Sequence, residues 1–158
     1  MTRSPGHPPI DILLVEDSEG DARLAREAFK DSRVLNVIHH VRDGEEAMAF
    51  LERRGRHAQA PRPDVILLDL NLPRMDGRQV LAAVKADPRF KRIPVVILTI
   101  SKEEQDVLRS YNLHANCYIT KPLDLERFLE VVKQIEGFWL SIVRLPPDGA
   151  EAEGEAGG

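Results

Sequence analysis

The chain has 158 residues, of which 42% are hydrophobic, 30% charged and 5% aromatic, a balance that indicates one globular domain and excludes a wholly disordered or disulfide-stapled protein. The last eleven residues carry the whole net charge of −4, because they hold four acidic residues and no basic one. The remaining body is neutral, which argues against nucleic-acid binding, and no apolar stretch approaches the ~20 residues of a membrane-spanning helix.

Short apolar runs rich in β-branched residues alternate along the chain with segments of helical periodicity. The predicted strands are Ile10–Val15, Val37–Val41, Val65–Asp69, Val95–Thr99 and Cys117–Thr120. The apolar positions that predict the helices between and after them are Leu24, Ala28 and Phe29; Ala47, Met48 and Leu51; Val80, Leu81 and Val84; Val107, Leu108 and Tyr111; and Leu125, Phe128, Leu129, Val132 and Ile135. Continuous apolar strands alternating with helices predict a doubly wound α/β domain with a parallel sheet.

Polar side chains stand where the predicted strands end. Glu16 and Asp17 follow the first strand, Asp69 ends the third, Thr99 ends the fourth, and Lys121 follows the fifth. In a doubly wound sheet, ligands bind outside the carboxyl ends of the strands. We therefore expect three carboxylates, a hydroxyl and a lysine to meet at one edge.

Three neighbouring carboxylates repel one another unless a cation lies among them. Oxygen ligands with no cysteine or histidine nearby favour Mg²⁺ over zinc. Lys121 and Thr99 are suited to bind phosphoryl oxygens, and Asp69 is the best candidate nucleophile because it ends a central, rigidly held strand. The pattern predicts phosphoryl transfer to Asp69.

We assign no chemical role to two Asp-Gly pairs and to the histidines. Asp43-Gly44 and Asp76-Gly77 are predicted turns or helix starts. The histidines, at positions 7, 39, 40, 57 and 114, share no metal-ligand spacing and are interpreted as structural or solvated.

Four segments together resemble the receiver domain of response regulators from two-component signalling, between about residues 10 and 136. They are Leu13–Asp17, Asp69–Gly77, Leu98-Thr99 and Tyr118–Pro122. The resemblance implies the flavodoxin-like strand order 2-1-3-4-5. It also implies that a histidine kinase phosphorylates Asp69, and that the chain catalyses nothing beyond its own phosphorylation and dephosphorylation.

Site roles follow from the same resemblance. The implied Mg²⁺ ligands are Glu16, Asp17, Asp69 and the backbone carbonyl of Asn71. Lys121 and Thr99 would bind the phosphoryl group, and Tyr118 would swing inward when Thr99 moves. Glu16 stands where many members of the family have aspartate.

Two other functions remain open at this point. An aspartyl-phosphate hydrolase of the haloacid-dehalogenase type also has a nucleophilic aspartate after a strand, but it needs a second aspartate where this chain has Asn71. A non-catalytic interaction scaffold is the third possibility.

Outside the predicted receiver domain (10–136) we expect a disordered arm (1–9), an apolar extension (137–147) and a disordered acidic tail (148–158). The extension resembles that of single-domain regulators paired with bacterial phytochrome kinases. Its large apolar residues, among them Phe138, Trp139, Leu140 and Ile142, predict either a homodimer interface or a segment folded back on its own domain. With one cysteine and no secretory signal, the expected location is the cytoplasm.

Overall fold

A computed structural model describes residues 9–98, 101–110, 113, 115, 117–119 and 124–142, without the side chains of 110, 117 and 138–142. The strands are β1 (Ile10–Val15), β2 (Asn36–Val41), β3 (Val65–Asp69), β4 (Val95–Leu98) and β5 (Cys117–Tyr118). The helices are α1 (Glu19–Lys30), α2 (Gly44–Glu52), α3 (Gly77–Ala86), α4 (Lys102–Ser110) and α5 (Leu125–Ile142), with a short 3₁₀ turn at Gly55–His57.

The five strands form one parallel sheet in the order β2-β1-β3-β4-β5. This confirms the predicted fold class and strand order. The chain passes from β1 outward to β2 and then returns to β3 on the other side of β1. The strand order therefore reverses between β1 and β3, which is where doubly wound folds place their ligands.

The sheet separates two apolar cores because successive side chains of a strand point to opposite faces. Helices α1 and α5 cover one face, where Phe29 and Phe128 are buried together with Leu14 and Leu67. The other face packs against α2, α3 and α4. β1, β3 and β4 are almost completely buried, as their apolar runs predict, whereas β2 is a half-exposed edge strand.

Side-chain caps determine where the five helices begin. Ser18, Asp43, Asp76, Ser101 and Asp124 each accept a hydrogen bond from a backbone N–H in the first turn of α1, α2, α3, α4 and α5 respectively. Asp43-Gly44 and Asp76-Gly77 are thus helix starts, as predicted.

Several predicted helix positions are more exposed than their periodicity suggests. Val107 in α4 and Leu125 and Leu129 in α5 retain 55%, 38% and 43% of their accessible surface. Their neighbours Leu108 and Phe128 are the residues that enter the core. The apolar stripe of each helix is therefore wider than the face that its own domain covers.

Helix α5 continues to Ile142, so the predicted boundary at 136/137 lies inside one helix. Glu136 ties this helix to the loop after α1, because its Oε2 accepts hydrogen bonds from Ser32 Oγ (3.0 Å) and the Arg33 N–H (2.6 Å). Within the described ranges, no helix is both long and apolar enough to cross a bilayer.

Candidate functional site

Glu16, Asp17 and Asp69 meet at the carboxyl end of the sheet. Val15 is paired with Leu68 in the β1–β3 ladder, so the next residues along each strand, Glu16 and Asp69, are neighbours. One carboxylate oxygen from each of the three acids lies within 4.8 Å of the others. Strand register therefore produces the acidic cluster that the sequence predicts.

The three carboxylates differ in their exposure to solvent. Glu16 is 1% exposed and Asp69 is 7% exposed, whereas Asp17 lies at the surface. Glu16 Oε2 accepts a hydrogen bond from the Ser18 N–H at 3.0 Å. Glu16 Oε1 is buried and has no hydrogen-bond partner among the described residues. Buried polar atoms are normally satisfied, so this oxygen fits a site that receives a cation.

Burial raises the pKa of Glu16 from 4.5 to about 8. The Ser18 N–H opposes this shift by stabilising the carboxylate, while the negative charges of Asp69 and Asp21 add to it. Without a cation, Glu16 therefore holds a proton at neutral pH. A divalent cation would replace that proton, because it favours the carboxylate form.

This raised pKa predicts how stability depends on pH. Between pH 4.5 and about 8, the folded protein retains a proton on Glu16 that the unfolded chain has released. The free energy of unfolding of the metal-free protein should therefore fall as pH rises through that window, by up to roughly 5 kcal/mol from this group, because each pKa unit corresponds to about 1.4 kcal/mol.

Glu16→Gln is the test, since the amide is neutral and nearly isosteric. Urea titrations at several pH values should show a flatter dependence for the variant, and greater stability than wild type at the upper end of the window. A variant with the slope of the wild type would contradict the assignment of this proton to Glu16.

The loop after Asp69 is folded against the starts of α2 and α3. The Asn71 N–H donates to Asp69 Oδ1 at 3.1 Å, and the Gly77 N–H donates to Leu70 O at 3.1 Å. Arg74 adopts a left-handed backbone conformation (φ 62°) and pairs with Asp43 Oδ2 at 3.2 Å. These contacts leave little freedom for the residues that follow Asp69.

Two glycines make this close packing possible. A Cβ atom on Gly77 would lie 2.2 Å from the carbonyl oxygen of Asp69, and one on Gly44 would lie 2.0 Å from that of Met75. Both distances are far below van der Waals contact. Gly77 therefore allows α3 to begin directly against the backbone of Asp69.

Other predicted site residues are only partly described. Thr99 and Lys121 lie outside the described residues, and their roles stay predictions. Tyr118 is half-buried, its hydroxyl accepts a hydrogen bond from the Ala115 N–H at 3.1 Å, and the Arg109 guanidinium lies 5.1 Å from its ring centre. The backbone of Phe138, Trp139, Leu140 and Ile142 is helical, and their predicted interface role stays a prediction.

Sequence reasoning missed two residues that contact the site backbone. Gly77 was interpreted as a helix start without further function, yet it contacts Asp69. His40 was grouped with the structural or solvated histidines, yet its Nε2 lies 2.7 Å from the carbonyl oxygen of Glu16. The acid that follows β1 and the histidine near the end of β2 come together only through strand pairing, which leaves no local signal.

The fold and the acidic cluster define the chain as a signalling receiver, and it belongs to the response regulator receiver domain family, which matches residues 12–133. Response regulator Rcp1 of Synechocystis sp. is 53% identical over 140 residues, covering 89% of this chain and 95% of that protein.

Two solved structures are also similar. The phosphorylated cyanobacterial phytochrome response regulator RcpA is 54% identical, with a TM-score of 0.75 over 88% of this chain and 99% of that one. The Mn²⁺-bound form of Rcp1 is 53% identical, with a TM-score of 0.74 over 87% of this chain and 99% of that one. Family membership favours the receiver over the hydrolase alternative.

Proposed function

We propose that the chain is a response regulator whose Asp69 accepts a phosphoryl group from a histidine kinase. The observation that carries this proposal is the placement of Asp69 at the end of β3, within 4.8 Å of the carboxylate oxygens of Glu16 and Asp17. In transfer, the P–N bond to the kinase histidine breaks as a P–O bond to Asp69 forms. The electron pair of the broken bond returns to the imidazole.

The proposed cofactor is Mg²⁺, held by Glu16, Asp17, Asp69 and the Asn71 carbonyl. The donor set is entirely oxygen, which suits this ion, and the unpartnered Oε1 of Glu16 supports a cation at this place. When bound, the ion would neutralise charge on the phosphoryl oxygens. The chain's own part is to hold Asp69 rigidly through the Asn71 N–H and the adjoining turn.

Lys121 and Thr99 are proposed to bind the phosphoryl oxygens, and Tyr118 to respond to the movement of Thr99. Leu98, the last residue of β4, pairs with Asp69, and Thr99 is the next residue in the sequence. Tyr118 pairs with Ile97 in the adjacent β4–β5 ladder. This succession links Asp69 to Tyr118 across the strands β3, β4 and β5.

The proposed kinase partner is a bacterial phytochrome, and the proposed location is the cytoplasm. Support comes from RcpA, which is described as a phytochrome response regulator and is 54% identical to this chain. Phosphotransfer profiling against the histidine kinases of the source organism tests the partner. Preferred labelling by a kinase without a light-sensing domain would contradict it.

Acetyl phosphate with Mg²⁺ tests the chemistry without a kinase. A mass gain of one phosphoryl group, mapped to Asp69, is expected for the receiver. Steady release of phosphate from added esters would indicate a hydrolase. The absence of both the mass gain and the phosphate release would indicate a scaffold.

Asp17→Ala should weaken Mg²⁺ binding by at least about tenfold, because it removes one carboxylate from a site with few protein ligands. Isothermal titration calorimetry measures the affinity directly. Asp21→Ala is the matched control, since it removes the same charge from the first turn of α1 without touching the cluster. Equal losses in the two variants would mean that Asp17 acts only through long-range charge.

We also propose a homodimer formed by the extension and the exposed apolar positions of α4 and α5. Val107, Leu125 and Leu129 remain between 38% and 55% exposed, and 137–147 adds six further large apolar residues. Full burial of each such side chain contributes roughly 1.5–3 kcal/mol. The helical continuation to Ile142 gives a second copy a regular surface to pack against.

Light scattering at micromolar concentration should find the full chain dimeric, more tightly so after phosphorylation of Asp69. A chain ending at Glu136 should be monomeric, because it lacks the extension while retaining the contacts of Glu136 with Ser32 and Arg33. A full-length protein that stays monomeric in both phosphorylation states would refute the dimer. A shortened chain that stays dimeric would place the interface elsewhere.

A further inference from the structure

The turn that carries Glu16 and Asp17 is held from the side by β2. The Glu16 N–H donates to the Val41 carbonyl at 3.0 Å, which extends the β1–β2 ladder by one bond. Beyond that bond, the Glu16 carbonyl oxygen lies 2.7 Å from Nε2 of His40. An imidazole thus holds the peptide group that joins the two acids.

The partners of the His40 ring determine its tautomer. Nη2 of Arg26 lies 3.3 Å from Nδ1 of His40, and a guanidinium can only donate hydrogen bonds. Nδ1 is therefore the acceptor, and the proton resides on Nε2, which donates it to the Glu16 carbonyl. Two hydrogen bonds thus link Arg26 in α1 to His40 in β2, and His40 to the backbone of Glu16 after β1.

Fixing this carbonyl fixes the plane of the peptide between Glu16 and Asp17, and so the position of the Asp17 Cα from which its side chain extends. That matters because Asp17 is exposed, so core packing does not orient it as it orients Glu16. Arg42 adds a longer contact from the same side, with Nη1 3.5 Å from the Asp17 carbonyl oxygen.

We infer that His40 is a positioning residue of the metal site: its Nε2–H orients the Glu16–Asp17 peptide and thereby preorganises Asp17 for the cation. The inference rests on the proposed Mg²⁺ site. It assigns a role at that site to an edge-strand histidine that is not itself a ligand.

A pair of substitutions separates the hydrogen bond from the size of the side chain. In His40→Gln, the amide nitrogen can occupy the place of Nε2 and donate to the Glu16 carbonyl. In His40→Asn, the side chain is one bond shorter and the donor cannot reach. Calorimetric titration with Mg²⁺ should show about a tenfold weaker affinity for His40→Asn and a loss within about threefold for His40→Gln.

His39→Gln is the control on the same strand. His39 faces the opposite side of the sheet, where its Nε2 lies 2.8 Å from Asp11 Oδ1 and its ring packs against Phe50. The His39→Gln variant should bind Mg²⁺ with the affinity of the wild type. Thermal melting of each variant reports folding separately from metal binding.

Nuclear magnetic resonance tests this hydrogen bond directly, in the wild type and in both His40 variants. Long-range ¹H–¹⁵N spectra should show His40 protonated on Nε2 only, and the amide nitrogen of Asp17 should shift in His40→Asn but not in His40→Gln. A proton on Nδ1, wild-type affinity in His40→Asn, or equal losses in both variants would each overturn the role of His40. Wild-type protein that binds no Mg²⁺ would instead overturn the proposed function, and the inference with it.

Discussion

Asp69→Asn should abolish phosphoryl acceptance while leaving the fold intact. The amide is nearly isosteric with the carboxylate but is a poor nucleophile, so labelling should fall by at least about a hundredfold. The amide oxygen of the variant can still accept the hydrogen bond from the Asn71 N–H, which Asp69 Oδ1 accepts at 3.1 Å in the wild type. The loop geometry should therefore survive the substitution.

Stability and labelling together make this test specific. The variant removes the negative charge of Asp69 from beside the carboxylate of Asp17, so the melting temperature of the metal-free protein should not fall. Asp76→Asn is the matched control, because asparagine caps a helix as well as aspartate does and the residue lies in the same loop. Radiolabel transfer from a phosphorylated kinase to Asp69→Asn at the wild-type rate would remove Asp69 as the acceptor.

Much of the site was predictable because it depends on strands that are easily recognised. The buried runs before Glu16 and Asp69 are apolar throughout, so their carboxyl ends could be placed in the sequence. A parallel sheet then brings those ends to one edge. The observed pairing of Val15 with Leu68 makes Glu16 and Asp69 direct neighbours, as the prediction required.

Features that depend on packing between distant elements were not predictable. Nothing local distinguishes His40 from His39, and only the sheet register turns one toward the Glu16 carbonyl and the other toward Asp11. Likewise, helical periodicity could not show that Val107 and Leu129 remain exposed, because their helices carry more apolar surface than the sheet face can cover.

Gly77→Ala should destabilise the protein and displace the phosphoacceptor. The added methyl carbon would lie 2.2 Å from the carbonyl oxygen of Asp69 and 2.6 Å from the Cα of Leu70, and both are backbone atoms that no side-chain rotation can move. The start of α3 must therefore shift away from β3. Overpacking against backbone should cost on the order of 3 kcal/mol.

The same shift should slow phosphorylation, because it moves the carbonyl of the residue that reacts. Urea unfolding measures the stability, and acetyl phosphate labelling of the folded fraction measures the reaction. Gly20→Ala is the control: the nearest atom to its added Cβ would be Ser18 Oγ at 3.8 Å, and alanine is favoured over glycine within a helix by roughly 0.5–1 kcal/mol. The two glycine-to-alanine substitutions should thus change stability in opposite directions. A Gly77→Ala protein that is as stable and as readily phosphorylated as the wild type would show that α3 does not constrain Asp69.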